Sequence, residues 1–184
     1  MRLKSLALAA ALTLAAAPAF AADYVQQAGS TLTFATKYQG EVFAGVFPGF
    51  TARMSFDPAR LDGSKLDVVI PLAGANSKNA ERDDTLKGAD FFDIAKFPQA
   101  RYSATKFRSL GGDKYAADGS LTLRGVSQPV VLTFTWTPGD KPVLTGKATV
   151  KRLDFKVGDG DWKDTSIIPN EVAVSTKVTF APAK

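Results

Sequence analysis

The stretch Tyr115-Ala116-Ala117-Asp118-Gly119-Ser120-Leu121-Thr122-Leu123-Arg124-Gly125-Val126-Ser127-Gln128-Pro129-Val130-Val131-Leu132-Thr133-Phe134-Thr135-Trp136 decides the fold. Tyr115, Ala117, Gly119, Leu121 and Leu123 fall on one side of a two-residue period, and Asp118, Ser120, Thr122 and Arg124 fall on the other. Beyond Gly125 the alternation resumes through Val130, Leu132, Phe134 and Trp136. Successive side chains of a strand point to opposite faces, so each run is a strand with one dry face. Working outward, Phe50, Ala52, Met54 and Phe56 alternate with Thr51, Arg53 and Ser55, and Leu66, Val68 and Ile70 with Lys65 and Asp67. Val172, Val174, Thr176, Val178 and Phe180 do the same near the chain's end. With Leu32 to Tyr38, Gln99 to Ser109 and Val143 to Lys151 added, about eight strands are predicted. Turn chemistry separates them at Asp57-Pro58, Asp62-Gly63, Gly111-Gly112-Asp113, Gly125 and Pro138-Gly139-Asp140.

Short connections favour an antiparallel meander, and closing it into a barrel removes exposed strand edges. About eight strands enclose an interior that holds either side chains or one small ligand. Both outcomes stay open. Ala52, Ala100, Ala104, Ala117, Gly119, Gly146 and Ala148 share the dry phase and are too small to fill a barrel, which favours a tunnel. Phe34, Phe43, Phe47, Phe50 and Phe107 are available to plug it. The opposite faces carry Arg53, Lys65, Asp67, Arg124, Lys147 and Lys177, so the outside is wet and is not a lipid-facing wall.

The N-terminus reads as an export signal over residues 1–21. Arg2 and Lys4 precede an apolar run from Leu6 to Ala17, and Ala19-Phe20-Ala21 offers small residues for cleavage after Ala21. The run is short of the ~20 residues that cross a bilayer as a helix. The expected mature protein, residues 22–184, is one periplasmic domain without a transmembrane segment, a monomer or a homodimer. Without Arg2 and Lys4 the 23 basic side chains fall to 21 against 18 acidic ones, a net charge of +3. These charges are scattered, so no nucleic-acid footprint is expected. The chain has no His and no Cys, which excludes His-based triads, thiol chemistry and ordinary zinc sites. Asp159-Gly160-Asp161-Trp162-Lys163-Asp164 fails the calcium-loop pattern, because Asp164 occupies the glycine position and Asn170 the final one. No metal site and no catalytic residues are assigned, and a binding protein is expected rather than an enzyme.

One insert breaks the sheet pattern. After Ile70-Pro71, Ser77 is a reasonable helix start, Ala80 to Lys87 are good helix formers, and Gly88 stops them. Asp90 is placed to cap a second short turn. Leu86, Phe91, Phe92, Ile94 and Phe97 need burial, and the barrel's open end is the natural place. Arg82 is expected to pair with Asp83 or Asp84 near the mouth, either as a structural bridge or to hold a ligand head group. Trp162 is expected on the same rim.

Arg82-Asp83-Asp84-Thr85-Leu86-Lys87 with Phe91-Phe92-Asp93, Phe97-Pro98, Gly119 to Val126 followed by Pro129-Val130, and Arg152-Leu153-Asp154-Phe155 together closely resemble the YceI-like family of exported bacterial proteins. The resemblance implies an all-β, extended antiparallel lipocalin-like barrel whose apolar tunnel holds polyisoprenoids, such as the ubiquinone side chain, or other long-chain amphiphiles. It implies such a ligand and no other cofactor. Where the family commonly places glycine after Arg-x-Asp-Phe, this chain has Lys156. The Gly158-to-Val172 region resembles a subgroup found beside b-type membrane cytochromes, which implies a quinone-linked membrane cytochrome as partner. The expected tunnel and mouth residues are Phe34, Phe50, Ala52, Arg82, Asp83, Phe91, Phe92, Tyr102, Ala117, Gly119, Leu121, Phe134 and Trp162. The leading expectation is a periplasmic lipid carrier; the alternative is an envelope stress-response adaptor that acts through its surface and has a filled core.

Overall fold

The computed structural model describes residues 22–183; the expected leader, residues 1–21, lies outside the described residues. The strands are β1 (Ala22–Gln26), β2 (Thr31–Tyr38), β3 (Glu41–Val46), β4 (Thr51–Phe56), β5 (Lys65–Pro71), β6 (Gln99–Gly111), β7 (Lys114–Leu123), β8 (Val126–Thr137), β9 (Val143–Lys151) and β10 (Glu171–Pro182). Between β5 and β6 lies the helix α1 (Ala80–Lys87). All strand pairs are antiparallel, in the order β1-β4-β5-β6-β7-β8-β9-β10-β2-β3, and pairing of β1 with β10 closes the ring. β1 and β2 are successive segments of one stave along β10, and β4 and β3 form the next stave beside them. Counted by staves, the molecule is a closed barrel of eight antiparallel strands.

The period-two reading misses β1 and β3. β1 is short, and β3 carries the unbroken apolar run Val42-Phe43-Ala44, which has no alternation to detect. β3 pairs only with β2, apart from a single bridge between Val46 and Asn76. The insert between β5 and β6 occupies the space beside it.

The β7–β8 hairpin turn is tight. Arg124 and Gly125 both have positive φ (50° and 73°), which matches the two-residue turn whose twist suits adjoining strands. Exposed Arg53, Lys65, Asp67, Lys147 and Lys177 cover the outer wall. Arg124 departs from that expectation: it is half-buried, and its guanidinium donates to the carbonyls of Ala89, Asp90 and Lys156. It ties the insert to the segment after β9.

Inside the barrel, plug and tunnel are both present, in different halves. At the end nearest the β6–β7 and β8–β9 hairpins, Phe56 is surrounded by Phe107, Tyr115, Phe134 and Trp136 at ring-centroid distances of 5.8, 5.1, 5.7 and 5.0 Å. Tyr24 and Phe180 extend this block. Several small residues thought to signal a void are in fact seats for large neighbours. A Cβ on Gly119 would lie 2.4 Å from the Tyr102 ring, and one on Gly146 would lie 2.9 Å from Leu132 Cδ1. Ala117 is fully enclosed (0 % exposed) in the filled half.

Gly119→Ala therefore forces Tyr102 off its seat. The expected loss is about 1–3 kcal/mol, the usual cost of overpacking, read as a lower thermal midpoint; an unchanged midpoint would contradict this account of the glycine.

Candidate functional site

The other half of the barrel is hollow. A cavity of about 500 Å³ opens at the end that carries α1, the β2–β3 and β7–β8 turns and the β9–β10 connection. Its walls are almost wholly aliphatic and aromatic: Leu32 and Phe34 from β2, Ala52 from β4, Leu66, Val68 and Ile70 from β5, Ala148 and Val150 from β9, and Val172, Val174 and Val178 from β10. Polar groups are confined to a few points, chiefly Asn79, Glu81, Arg82 and Thr85 on and beside α1.

The expected site residues divide by depth. Phe34, Phe50, Ala52, Tyr102 and Leu121 line the cavity wall, and Arg82, Phe91, Phe92 and Trp162 line it at the mouth. Ala117 and Phe134 belong to the filled half, and Gly119 lies beneath Tyr102, so none of the three lines the cavity. Phe43 and Phe47 line it too, whereas Phe107 packs with the aromatic block.

The expected ion pair between Arg82 and Asp83 or Asp84 does not form; Ser77 stands between the charges. Asp83 accepts from the Ser77 amide at 2.8 Å and from its hydroxyl at 2.6 Å. The same hydroxyl accepts from Arg82 Nε at 2.8 Å, and Arg82 Nη2 donates to the Ser77 carbonyl at 3.0 Å. Burial pushes the Asp83 carboxyl up, but the two Ser77 hydrogen bonds together with the positive charges of Lys87 and Arg82 outweigh it and hold its pKa below the ordinary value. The helix starts at Ala80 and is capped by Asn79, whose side chain accepts from the Arg82 amide at 3.0 Å, so Ser77 serves as this relay and not as the cap. Asp84 pairs instead with Lys87 at 3.4 Å. Arg82 lies over Phe43, with its guanidinium carbon 4.1 Å from the ring centroid, within cation–π range.

After α1 the chain continues in turns. Phe91 and Phe92 are buried there, Phe92 against Phe47 (6.0 Å) and Phe91 against Trp162 (5.5 Å). Trp162 sits on the rim as expected, held by a residue that sequence reasoning gave no role. Arg152 is 3 % exposed and every one of its N–H groups meets a backbone carbonyl. Nε donates to Pro169 (3.2 Å), Nη1 to Val157 (3.0 Å) and Gly158 (2.6 Å), and Nη2 to Trp162 (2.8 Å) and Ile168 (2.8 Å). Burial pulls its pKa down, and the field of Asp159 opposes that. The signal lay in the Arg152-Leu153-Asp154-Phe155 motif, but nothing in the spacing says that the guanidinium gathers the following loop. Lys156 takes the left-handed conformation (φ 58°) that glycine adopts without strain. The carboxylates of this loop face their own backbone: Asp159 accepts from Gly160 N, and Asp164 from Ser166. Among the described residues, no three acidic side chains gather as a metal site.

Deeper in, the Tyr102 hydroxyl donates to the Ala117 carbonyl at 2.9 Å, with the Val130 carbonyl at 3.2 Å. Burial raises its pKa to about 12. The unfolded chain loses this proton near pH 10 while the folded one keeps it, so stability falls as pH rises from about 10 to 12. The unfolding midpoint of the parent is expected to drop more steeply over that window than that of Tyr102→Phe; parallel curves would refute the shift. Lysine has too few donors for the carbonyls around Arg152, so Arg152→Lys is expected to cost roughly 2–4 kcal/mol and to alter Trp162 fluorescence. A variant as stable as the parent would remove Arg152 from its organising role.

A model of the YceI-like domain matches residues 24–180. A UPF0312 protein of Pseudomonas savastanoi pv. phaseolicola is 33% identical over 175 residues, covering 89% of this chain and 91% of that protein. The crystal structure of Burkholderia cenocepacia BcnA superposes with a TM-score of 0.80 at 31% identity, covering 84% of this chain and 98% of that one. A polyisoprenoid binding domain from Saccharophagus degradans, implicated in plant cell wall breakdown, has the same fold at 15% identity (TM-score 0.68, covering 88% and 99% of the two chains). An apolar half-barrel under a helical insert, a buried Arg-x-Asp-Phe segment that folds the rim, and these matches lead to one statement: the chain belongs to the YceI-like family.

Proposed function

We propose that this protein is an exported carrier that holds one long amphiphilic lipid, a polyisoprenoid such as ubiquinone, with its tail in the barrel and its head at the mouth. The observation that carries the reading is the cavity of about 500 Å³, which is open at one end and apolar along its walls. Such a volume lies in the range of small-molecule sites, and each buried methylene contributes about 0.8 kcal/mol to binding. The polyisoprenoid binding domain from Saccharophagus degradans, which shares the fold, supports a lipid of this class. Family membership likewise favours a binding protein over an enzyme. The head group would meet Arg82, Asn79 and Trp162 at the rim. The N-terminal export pattern supports a periplasmic location, where a quinone-linked membrane cytochrome is a fitting donor or acceptor of the cargo.

Protein purified without detergent should yield a stoichiometric lipid on extraction and mass spectrometry. Ala100 lines the cavity, so Ala100→Trp should fill the space, stay folded and lose the lipid. Repeated recovery of no lipid, with no uptake of added ubiquinone, would end this reading.

A further inference from the structure

The cavity stops partway through the barrel, and the way it stops bears on which chains fit. Its floor is made by Leu66, Tyr102, Leu132, Leu144 and Phe180. Behind them lie Met54, Phe56, Ala117 and Phe134, all between 0 and 4 % exposed. The rings there touch edge to face around Phe56, and Tyr102 is anchored to two backbone carbonyls. Close-packed interiors of this kind yield little, so a chain cannot slide deeper without displacing several rings together.

We propose that this floor sets an upper limit on the length of chain that is buried, so that the protein holds only the last three or four isoprene units of its lipid's tail. The inference rests on the lipid-binding reading above. The limit can be estimated from the strands. Cavity-lining positions run from Tyr38 to Leu32 on β2 and from Val172 to Phe180 on β10. At ~3.3 Å per residue and a strand tilt of ~35–45°, the cavity is about 15–20 Å deep. Three tetrahedral chain bonds advance ~3.3–3.6 Å, so a five-carbon unit with four bonds along the chain takes up just under 5 Å, and about three or four units reach the floor. In a longer homologue the units next to the head have to remain outside the mouth, where they gain no burial.

Ubiquinone homologues with one to ten isoprene units test this directly, with binding read by quenching of Trp162 fluorescence and stoichiometry by native mass spectrometry. Each unit up to the third or fourth should tighten binding at least about tenfold, and later units by less than about threefold. Ala52 pairs with Val68, one layer above Leu66, and faces the empty space. Ala52→Phe should therefore move the break to a homologue about one unit shorter, while the one-unit homologue still binds within about threefold of the parent. Leu132→Ala should move the break in the opposite direction. Affinity that keeps rising through ten units in the parent, or a break that stays in place in Ala52→Phe, overturns the limit and leaves lipid binding intact. Failure of every homologue to bind removes the lipid-binding reading and this inference with it.

Discussion

The packing of rings around Phe56 is the constraint on which the rest of the molecule depends. Phe56 is 1 % exposed and touches four aromatic neighbours from three other strands, so one residue cross-links much of the barrel from within. Edge-to-face and offset contacts of this kind add to the stability that area burial alone provides. With so much apolar surface buried at one end, the other end can remain unfilled, although a void costs dispersion contacts and burial. An open apolar cavity in a chain without disulfides becomes affordable for the fold on these terms.

The mouth is built on a different principle. Around the rim, loop geometry is held by two arginines that use carbonyls where carboxylates would be expected. Arg152 collects five from residues spread between Val157 and Pro169, and Arg124 collects three from the insert and from Lys156. A guanidinium surrounded by carbonyl dipoles satisfies many acceptors at once and leaves no acid to be solvated elsewhere. Asp83, Ser77 and Arg82 form a smaller unit of the same character at the start of the helix.

Much of the barrel was legible because alternation survives wherever one face is dry and the other charged, as in β4, β5, β7 and β10. It failed at β3, where Val42 faces solvent beside inward Phe43 and the hydropathy of the two does not differ. The interior was harder to read for a related reason. Small residues in phase with the core have two meanings, an empty space or a seat for a neighbour's ring, and one sequence does not distinguish them. Ala52, Ala100 and Ala148 mean the first, and Gly119 and Gly146 the second. At the mouth, Arg82, Phe91, Phe92 and Trp162 line the cavity where the sequence reading put them, but their partners depend on how distant loops meet. Ser77 between two charges and Arg152 beneath a remote loop are contacts of that kind.

The ties at the rim are unevenly distributed around its circumference. On the side of Arg124, the insert and the segment after β9 are joined by that guanidinium and by the Gly158 amide donating to the Asp90 carbonyl at 2.8 Å. On the opposite side, α1 faces β3, whose far edge is unpaired save for the Val46–Asn76 bridge, and there Arg82 rests on Phe43 by stacking alone. Stacking tolerates sliding and rotation, whereas a cluster of carbonyl-bound donors does not. The insert is thus fastened to the barrel by many donors on the Arg124 side and, beside Phe43, by one backbone pair and a stacked guanidinium.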